Sequence, residues 1–248
     1  MKQTSKKLLL WLYPFDASLK RRVSVSVASW LLPELTTAGQ NSLVRHLENE
    51  HLLFTDELDG IIKLSLSSHG RLQLQADFPT LKWVDQPWQG DWSVVVFIKA
   101  PAGDKNFRYL RSLLMKQQSF QLSRGVYLNA GEISKELINT LHNAYRENVI
   151  VYKTNNWQFG DDSIFIGQSE YLKDIISIYS GISNELKILL TKKSNRKTLS
   201  DQQKNQFASI FDRFVISFEQ DCGIIPYYHP EVISGIKLLQ QMQLEINL

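Results

Sequence analysis

Polar side chains that can recognise DNA bases are concentrated in the stretch TTAGQNSLVRHLENE. Asparagine and glutamine match the hydrogen-bonding edge of adenine, and arginine matches that of guanine. Gln40, Asn41 and Arg45 are spaced so that a helix would bring them to one side. Their types and spacing predict a surface that reads base edges in the major groove. On this stretch alone, a solvated helix face is an equally good interpretation.

The same stretch has the apolar residues that would hold such a helix on a core. Leu43, Val44 and Leu47 fall on the side opposite the polar residues. Thr37, with Gln40 three residues later, predicts a capping box at the start of a helix over 37–47. At that helix start, the Thr37 hydroxyl is also placed to donate to a DNA phosphate.

Two alternating runs follow this helix and surround Asp59-Gly60, a strong signal for a two-residue hairpin turn. Helices followed by a hairpin predict a winged helix-turn-helix, in which the second helix of the pair enters the major groove and the hairpin, or wing, lies beside the backbone. Lys63 is the only basic residue of the wing. Asp56, Glu57 and Asp59 would repel phosphates, so either the wing turns away from DNA or affinity depends on basic residues elsewhere.

The formal net charge is only +3, but the basic residues are clustered. Lys20, Arg21 and Arg22 belong to the first cluster, and we expect them to donate to DNA phosphates. The second cluster contains Lys192, Lys193, Arg196 and Lys197. Solvated surface charges are an equally good interpretation of either cluster taken alone.

The order of apolar patterns predicts an α+β protein of three parts. These are an N-terminal winged helix-turn-helix domain over 1–80, a central ferredoxin-like (split βαβ) domain over 81–167 and a C-terminal helical domain over 168–248. In the central part, VIVYKTN and DSIFIG are both predicted as strands.

Few other residues suggest chemistry. The five histidines and the single Cys222 form no metal-ligand spacing, so we expect no metal and no cofactor. One cysteine cannot form an internal disulfide, and no apolar run approaches the ~20 residues of a membrane-spanning helix, so a cytoplasmic protein without membrane association is expected. Tyr228 and His229 in PYYHPE could line a pocket, although packing between the C-terminal and central parts is favoured.

Several short motifs, in this order, resemble the PaaX-like family of bacterial transcriptional repressors. They are SLVRHLENEHLLF with Arg45, the Ser-x-x-Gly turn at 67–70, W-x-G-x-W at 88–92, Arg108 and Arg111 of the family's central R-x-x-L-R helix, G-V-Y at 125–127, and the aspartate and spaced prolines of 221–230. The resemblance covers most of the chain, and its most specific motif is W-x-G-x-W.

This resemblance implies a repressor that binds double-stranded DNA, rather than an enzyme. Because one such module makes too few contacts for operator specificity, we expect a homodimer on a palindromic site. The resemblance also implies release by an acyl-CoA effector, phenylacetyl-CoA being the best-known case. The candidate effector-binding residues are Lys192, Lys193, Arg196, Lys197, Tyr228 and His229. The operator, the effector and the sign of regulation stay open.

The family's central domain in turn resembles the small nucleases of CRISPR adaptation. In those nucleases the first strand ends with an aspartate that holds a divalent ion, whereas GDWSVVVFIKAP has Ile98 at the matching position. An aliphatic side chain cannot ligate a hard cation. Asp104 lies on the following turn, where we expect it to cap a helix. Two alternatives remain: a residual metal-dependent nuclease, and an interaction protein that kept the fold without reading DNA.

Overall fold

The computed structural model describes residues 1–16, 21–98, 105–191 and 199–246. Two small antiparallel sheets and a set of helices make up this mixed α+β protein, which confirms the predicted class. Within those ranges, no helix has both the length and the apolar character needed to cross a membrane. Asp104 and the basic cluster of 192–197 lie outside the described residues, so their predicted roles stay predictions.

The first sheet has three strands with short helices around it. Its part of the chain runs α1 (Gln3–Trp11), β1 (Val23–Ser24), α2 (Val27–Leu31), α3 (Thr37–Asn49), β2 (Leu53–Leu58), β3 (Ile61–Leu66) and α4 (Ser68–Asp77). The strand order is β1-β3-β2. Asp59 and Gly60 join β2 to β3 with φ of 54° and 72°, the left-handed pair that a type I′ turn requires. The predicted hairpin is confirmed.

The second sheet has four strands. A 3-10 helix (Pro79–Trp83) precedes β4 (Trp92–Phe97), α5 (Lys105–Lys116), β5 (Phe120–Ser123), β6 (Val126–Ala130), α6 (Lys135–Ala144) and β7 (Val149–Thr154). The strand order is β5-β6-β4-β7, and every neighbouring pair is antiparallel. One face, with Val95 and Tyr127, packs on Leu110 of α5 and Leu137 of α6. The opposite face presents Trp92, Val94 and Leu128 to the main core.

The prediction that DSIFIG forms a strand is wrong, because Ser163–Gly167 forms a π-helix. The Asp161 carboxylate accepts a hydrogen bond from the Ser163 backbone N–H at 2.9 Å, and the Asp161 carbonyl accepts from the N–H of Ile164. These local bonds occupy the backbone groups that a strand would offer to a sheet.

Helices form the C-terminal part of the chain, as predicted. They are α7 (Glu170–Thr191), α8 (Asp201–Gln220), α9 (Ile225–Tyr228) and α10 (Gly235–Glu245). Ser200 and Gln203 form a full capping box at the start of α8. Phe207, Phe211 and Phe214 lie one helical turn apart on α8, and each is fully buried.

The main hydrophobic core runs through the predicted boundaries at 80 and 167. The Trp11 ring of α1 lies 5.3 Å from Trp30 of α2, and 5.6 and 5.5 Å from Phe207 and Phe211 of α8, measured between ring centroids. Lys7 of α1, which is buried, extends this contact with an ion pair to Asp212 of α8 at 2.6 Å. The helices of the first sheet therefore pack directly on the C-terminal helices. The division into three domains stays a prediction.

The W-x-G-x-W motif is explained by packing. The rings of Trp88 and Trp92 lie 4.7 Å apart, and the Trp88 indole N–H donates to the Asp91 carbonyl at 2.8 Å. Gly90, with φ of 93°, approaches Tyr227 so closely that a Cβ would lie 2.8 Å from its hydroxyl oxygen. The motif therefore joins the entry of the second sheet to α9.

A buried carboxyl group lies at the end of α8. Asp221 accepts hydrogen bonds from the Tyr179 hydroxyl at 2.9 Å and from the Gly223 N–H at 2.7 Å. Burial nevertheless raises its pKa to about 6. The titratable groups that face it are Tyr179, Tyr171 and Cys222, and burial raises the pKa of all three.

Stability is predicted to depend on the charge of Asp221. Its pKa is higher in the folded than in the unfolded chain, so its contribution is full below the unfolded pKa and is lost as the pH rises through about 6. The Asp221→Asn side chain cannot ionise. Between about pH 4 and about pH 8, the unfolding free energy should shift by about 2.5 kcal/mol in favour of the variant relative to the wild type. Urea denaturation of both proteins measures this difference, and a constant difference across that range would contradict the assignment.

Candidate nucleic-acid interface

The start of α3 is fixed by two side chains. Thr36, rather than the predicted Thr37, is the N-cap, and its hydroxyl oxygen accepts a hydrogen bond from the Gly39 N–H at 3.2 Å. The predicted capping box at Thr37 is therefore wrong, because Thr36 is the extended residue that precedes the helix. Thr37 lies in the first turn and is exposed.

Gln40 is used inside the protein. Its side-chain amide donates to the carbonyl of Leu35 at 3.0 Å and to that of Leu32 at 3.3 Å. These bonds tie α3 to the end of α2 and set the angle between the two helices. In this arrangement the NH₂ group of Gln40 positions the helix, and only its amide oxygen is left for another partner.

The exposed face of α3 contains no acidic residue. Its side chains, at successive helical turns, are Thr37, Ala38, Asn41, Ser42, Arg45, His46 and Asn49. Six of them, all but Thr37, line a shallow groove of about 510 Å³. Asn41 and Arg45 lie one turn apart on this face, as their spacing predicts.

The opposite face of α3 holds the helix against the core. Val44 and Leu47 are 7% and 1% exposed. Glu48 lies at the border of the exposed face, three residues after Arg45, and its carboxylate accepts a hydrogen bond from the Thr55 hydroxyl of β2, which directs it toward the sheet. His51, with φ of 56°, ends the helix and leads the chain into β2. These contacts fix which face of α3 is presented to solvent.

One of the three acidic residues of the hairpin, Asp56, has basic neighbours. Arg22 Nε lies 3.8 Å from a carboxylate oxygen of Asp56. Lys63 is opposite Asp56 in the β2–β3 register, and two basic residues therefore surround this carboxylate. Because opposite charges this close offset each other's field, Asp56 repels a phosphate less than the sequence alone suggests. Glu57 and Asp59 have no such neighbour in the register.

The remaining predicted phosphate contacts differ in their placement. Arg21 is turned inward, where its Nε donates to the Trp11 carbonyl at 3.1 Å and its guanidinium lies over the Trp11 ring. Burial also lowers its pKa. Arg22 is about half exposed and borders the hairpin. Lys20 lies outside the described residues.

Tyr228 and His229 both form hydrogen bonds to the 162–167 segment. The Tyr228 hydroxyl donates to the Asp162 carboxylate at 2.7 Å, and burial together with this bond raises the pKa of the tyrosine. His229 Nε2 lies 2.7 Å from the Gly167 carbonyl oxygen and donates to it. Both side chains therefore join the C-terminal turn to the 162–167 segment.

Four residues of the exposed face were missed in the sequence analysis. Ala38, Ser42, His46 and Asn49 continue the helical spacing of Asn41 and Arg45. Extending the i, i+4, i+8 series along the predicted helix would have found them.

Comparisons with known proteins add little. No family model matches the chain, and no curated protein matches it. Among solved structures, the chain is similar to the uncharacterized protein Rv0674 from Mycobacterium tuberculosis, with a TM-score of 0.48 and 14% sequence identity. The alignment covers 99% of this chain and 96% of that one.

Proposed function

We propose that the protein is a DNA-binding transcriptional regulator of the PaaX-like type. It acts as a repressor, binds a palindromic operator as a dimer and is released by a small effector such as an acyl-CoA. The observation that carries the proposal is the face of α3 that presents Asn41 and Arg45: its exposed side chains include no carboxylate, and the nearby Glu48 is half-buried and bonded to Thr55. This combination suits the base edges and the negative field of a DNA groove.

The arrangement around α3 supports a winged helix-turn-helix. Three helices and a short strand precede the β2–β3 hairpin, and β1 pairs with β3 beside it. In such domains the last helix before the hairpin is the recognition helix. Gln40 holds α3 at a fixed angle to α2, and Arg22 and Lys63 supply positive charge at the hairpin. Arg22 and Lys63, which both border the hairpin, are the proposed phosphate contacts there.

The second sheet supports a scaffold role. Its β-α-β-β-α-β order and antiparallel strand order suit a ferredoxin-like domain. Ile98, at the end of β4, is 55% exposed and has no oxygen that could hold Mg²⁺. The protein is therefore proposed to bind DNA, in the cytoplasm, without cutting it.

Selection from a random pool of duplex DNA tests the proposal. We expect enrichment of an inverted repeat whose half-sites are separated by one helical turn or a multiple of it, because a two-fold dimer presents two copies of α3. Binding should weaken steeply with salt, as phosphate contacts require. Recovery of no enriched sequence, with only sequence-independent binding, would overturn the proposal.

Release by an effector is tested on the selected DNA. Phenylacetyl-CoA should lower the affinity for that DNA at least tenfold, because an effector must favour the DNA-free arrangement to release the protein. Free coenzyme A is the matched control for the acyl group. No change in DNA affinity or in melting temperature with the acyl-CoA would remove this effector from the account.

A second candidate function, protein binding through the hairpin, is favoured by one observation. Leu58, Ile61 and Ile62, at the hairpin tip, are 46%, 46% and 49% exposed. Exposed apolar side chains add little binding free energy beside a phosphate backbone, whereas they can be buried against a protein partner. Ile61→Lys separates the two functions: it should strengthen binding to the selected DNA if the hairpin contacts phosphates. A variant with unchanged DNA affinity but lost regulation in cells would favour the protein partner.

A further inference from the structure

The strand β7 forms an exposed edge of the second sheet. Among the described residues it pairs with β4 alone and is the last strand in the order β5-β6-β4-β7. Its residues Ile150, Val151 and Tyr152 are 51%, 36% and 50% exposed. Lys153 is its only charged residue. Edge strands are usually protected by charges, prolines or bulges, because an open apolar edge pairs readily with another chain.

The hydrogen-bonding pattern shows which residues of β7 face outward. The Ile98 N–H donates to the Asn148 carbonyl at 2.9 Å, so these two opposed residues form a hydrogen-bonded pair. Bonding toward a neighbouring strand alternates along an antiparallel pair. Ile150 and Tyr152 therefore direct their backbone groups toward β4. Val149, Val151 and Lys153 direct theirs away from the sheet.

We propose that β7 pairs with β7 of a second copy of this chain, antiparallel and with the two-fold axis at Val151. The two four-stranded sheets then become one continuous sheet. In this register Val151 opposes Val151 of the second copy, and Val149 opposes Lys153 of the second copy. Because the Val149 N–H already donates to the Tyr145 carbonyl, Val149 offers only its own carbonyl, and the strands form about four new backbone bonds.

The side chains agree with this register. Ile150 lies opposite Tyr152 of the second copy on one face, a β-branched and aromatic pair of the kind that stabilises antiparallel strands. Ile98, 55% exposed, extends from that same face at the end of β4 and enlarges the apolar area. Lys153 opposes a valine, so no like charges meet. If the register of the two β7 strands shifted by one residue, outward-directed backbone groups of one strand would oppose inward-directed groups of the other. A shift by two residues would leave fewer residues paired.

This pairing supplies the dimer that the proposed function requires, and its role on an operator rests on that function. The interface itself is argued from the sheet edge and is tested without DNA. Failure of the interface would leave DNA reading by α3 untouched, and failure of DNA reading would leave the dimer in place.

Cysteine cross-linking tests the two-fold axis. Opposed residues of a hydrogen-bonded pair have Cα atoms about 5.5 Å apart, within the span of a disulfide. Val151→Cys should therefore give a covalent dimer under mild oxidation. Ile138→Cys on α6, whose native side chain is 43% exposed, is the matched control and should stay monomeric on a denaturing gel. The native Cys222 is buried, and burial raises its pKa to about 12, so it should not react.

A mixture tests the register. Val149→Cys and Lys153→Cys should each fail to cross-link alone but should cross-link when the two variants are mixed. Ile150→Lys should shift the sedimentation mass from twice the 28.7 kDa chain mass toward one chain, whereas Ile138→Lys should not. A wild-type protein that stays monomeric, or Val151→Cys cross-linking no faster than Ile138→Cys, would overturn the proposal.

Discussion

Replacing Asn41 and Arg45 together with alanine is expected to abolish sequence-specific DNA binding while leaving the fold intact. Both side chains lie on the exposed face of α3, outside the core. A bidentate contact to a base contributes about 1–3 kcal/mol of discrimination, and a dimer makes each contact twice. The combined loss is comparable to the whole difference between specific and non-specific binding, about 4–10 kcal/mol.

The chain offers a matched control for this variant. Asn143 and Arg146 are also exposed, and they lie at the end of α6 and just after it. Their replacement with alanine removes the same two side-chain types and the same charge. Mobility shift of the selected duplex should show loss of the specific complex for Asn41→Ala/Arg45→Ala and a wild-type affinity for the control. Equal affinities would show that α3 is not the reader.

Trp11→Ala is expected to destabilise the whole protein by about 3–5 kcal/mol, the range typical of removing a large buried aromatic side chain. The Trp11 ring contacts Trp30 on one side and Phe207 and Phe211 on the other. Its removal therefore opens a cavity between the helices that position α3 and the C-terminal helix α8. Both regions should lose stability together.

Urea denaturation and hydrogen exchange measure this coupling. Exchange of α3 and of α8 amides should accelerate by the same factor in Trp11→Ala, because they unfold as one unit. Trp157→Ala, at a partly buried tryptophan whose ring contacts Phe165, is the matched control and should have a smaller effect on α3. Continued protection of α8 when α3 has become unprotected would show that the two regions are independent.

Local patterns predicted the local structure well. Asp59-Gly60 predicted the hairpin because its turn needs two left-handed residues, and few other sequences supply them. The apolar period of 43–47 predicted α3, which extends to Asn49. The capping box predicted at Thr37 was wrong by one residue, because the adjacent Thr36 is the extended residue that caps the helix. DSIFIG failed because its apolar residues suit a strand, whereas the preceding aspartate starts a turn.

Tertiary contacts were harder to predict. Nothing in the pattern of α1 indicates that Trp11 packs on α8, about 200 residues later in the chain. The same applies to single side chains of the site. Gln40 and Arg21 have types suited to DNA, yet nearby backbone carbonyls accept their hydrogen bonds. Sequence spacing predicted the face of α3 but could not show which of its polar groups are already used.

Protection of a thiol on α3 by DNA tests the central claim most directly. Ser42→Cys places a thiol on the exposed face, and Ser177→Cys places the same change on an exposed position of α7. With a saturating amount of the selected duplex, alkylation at position 42 should slow at least tenfold, whereas alkylation at position 177 should not change. If DNA leaves the alkylation rate at position 42 unchanged, α3 does not enter a DNA groove, and the proposed function is wrong.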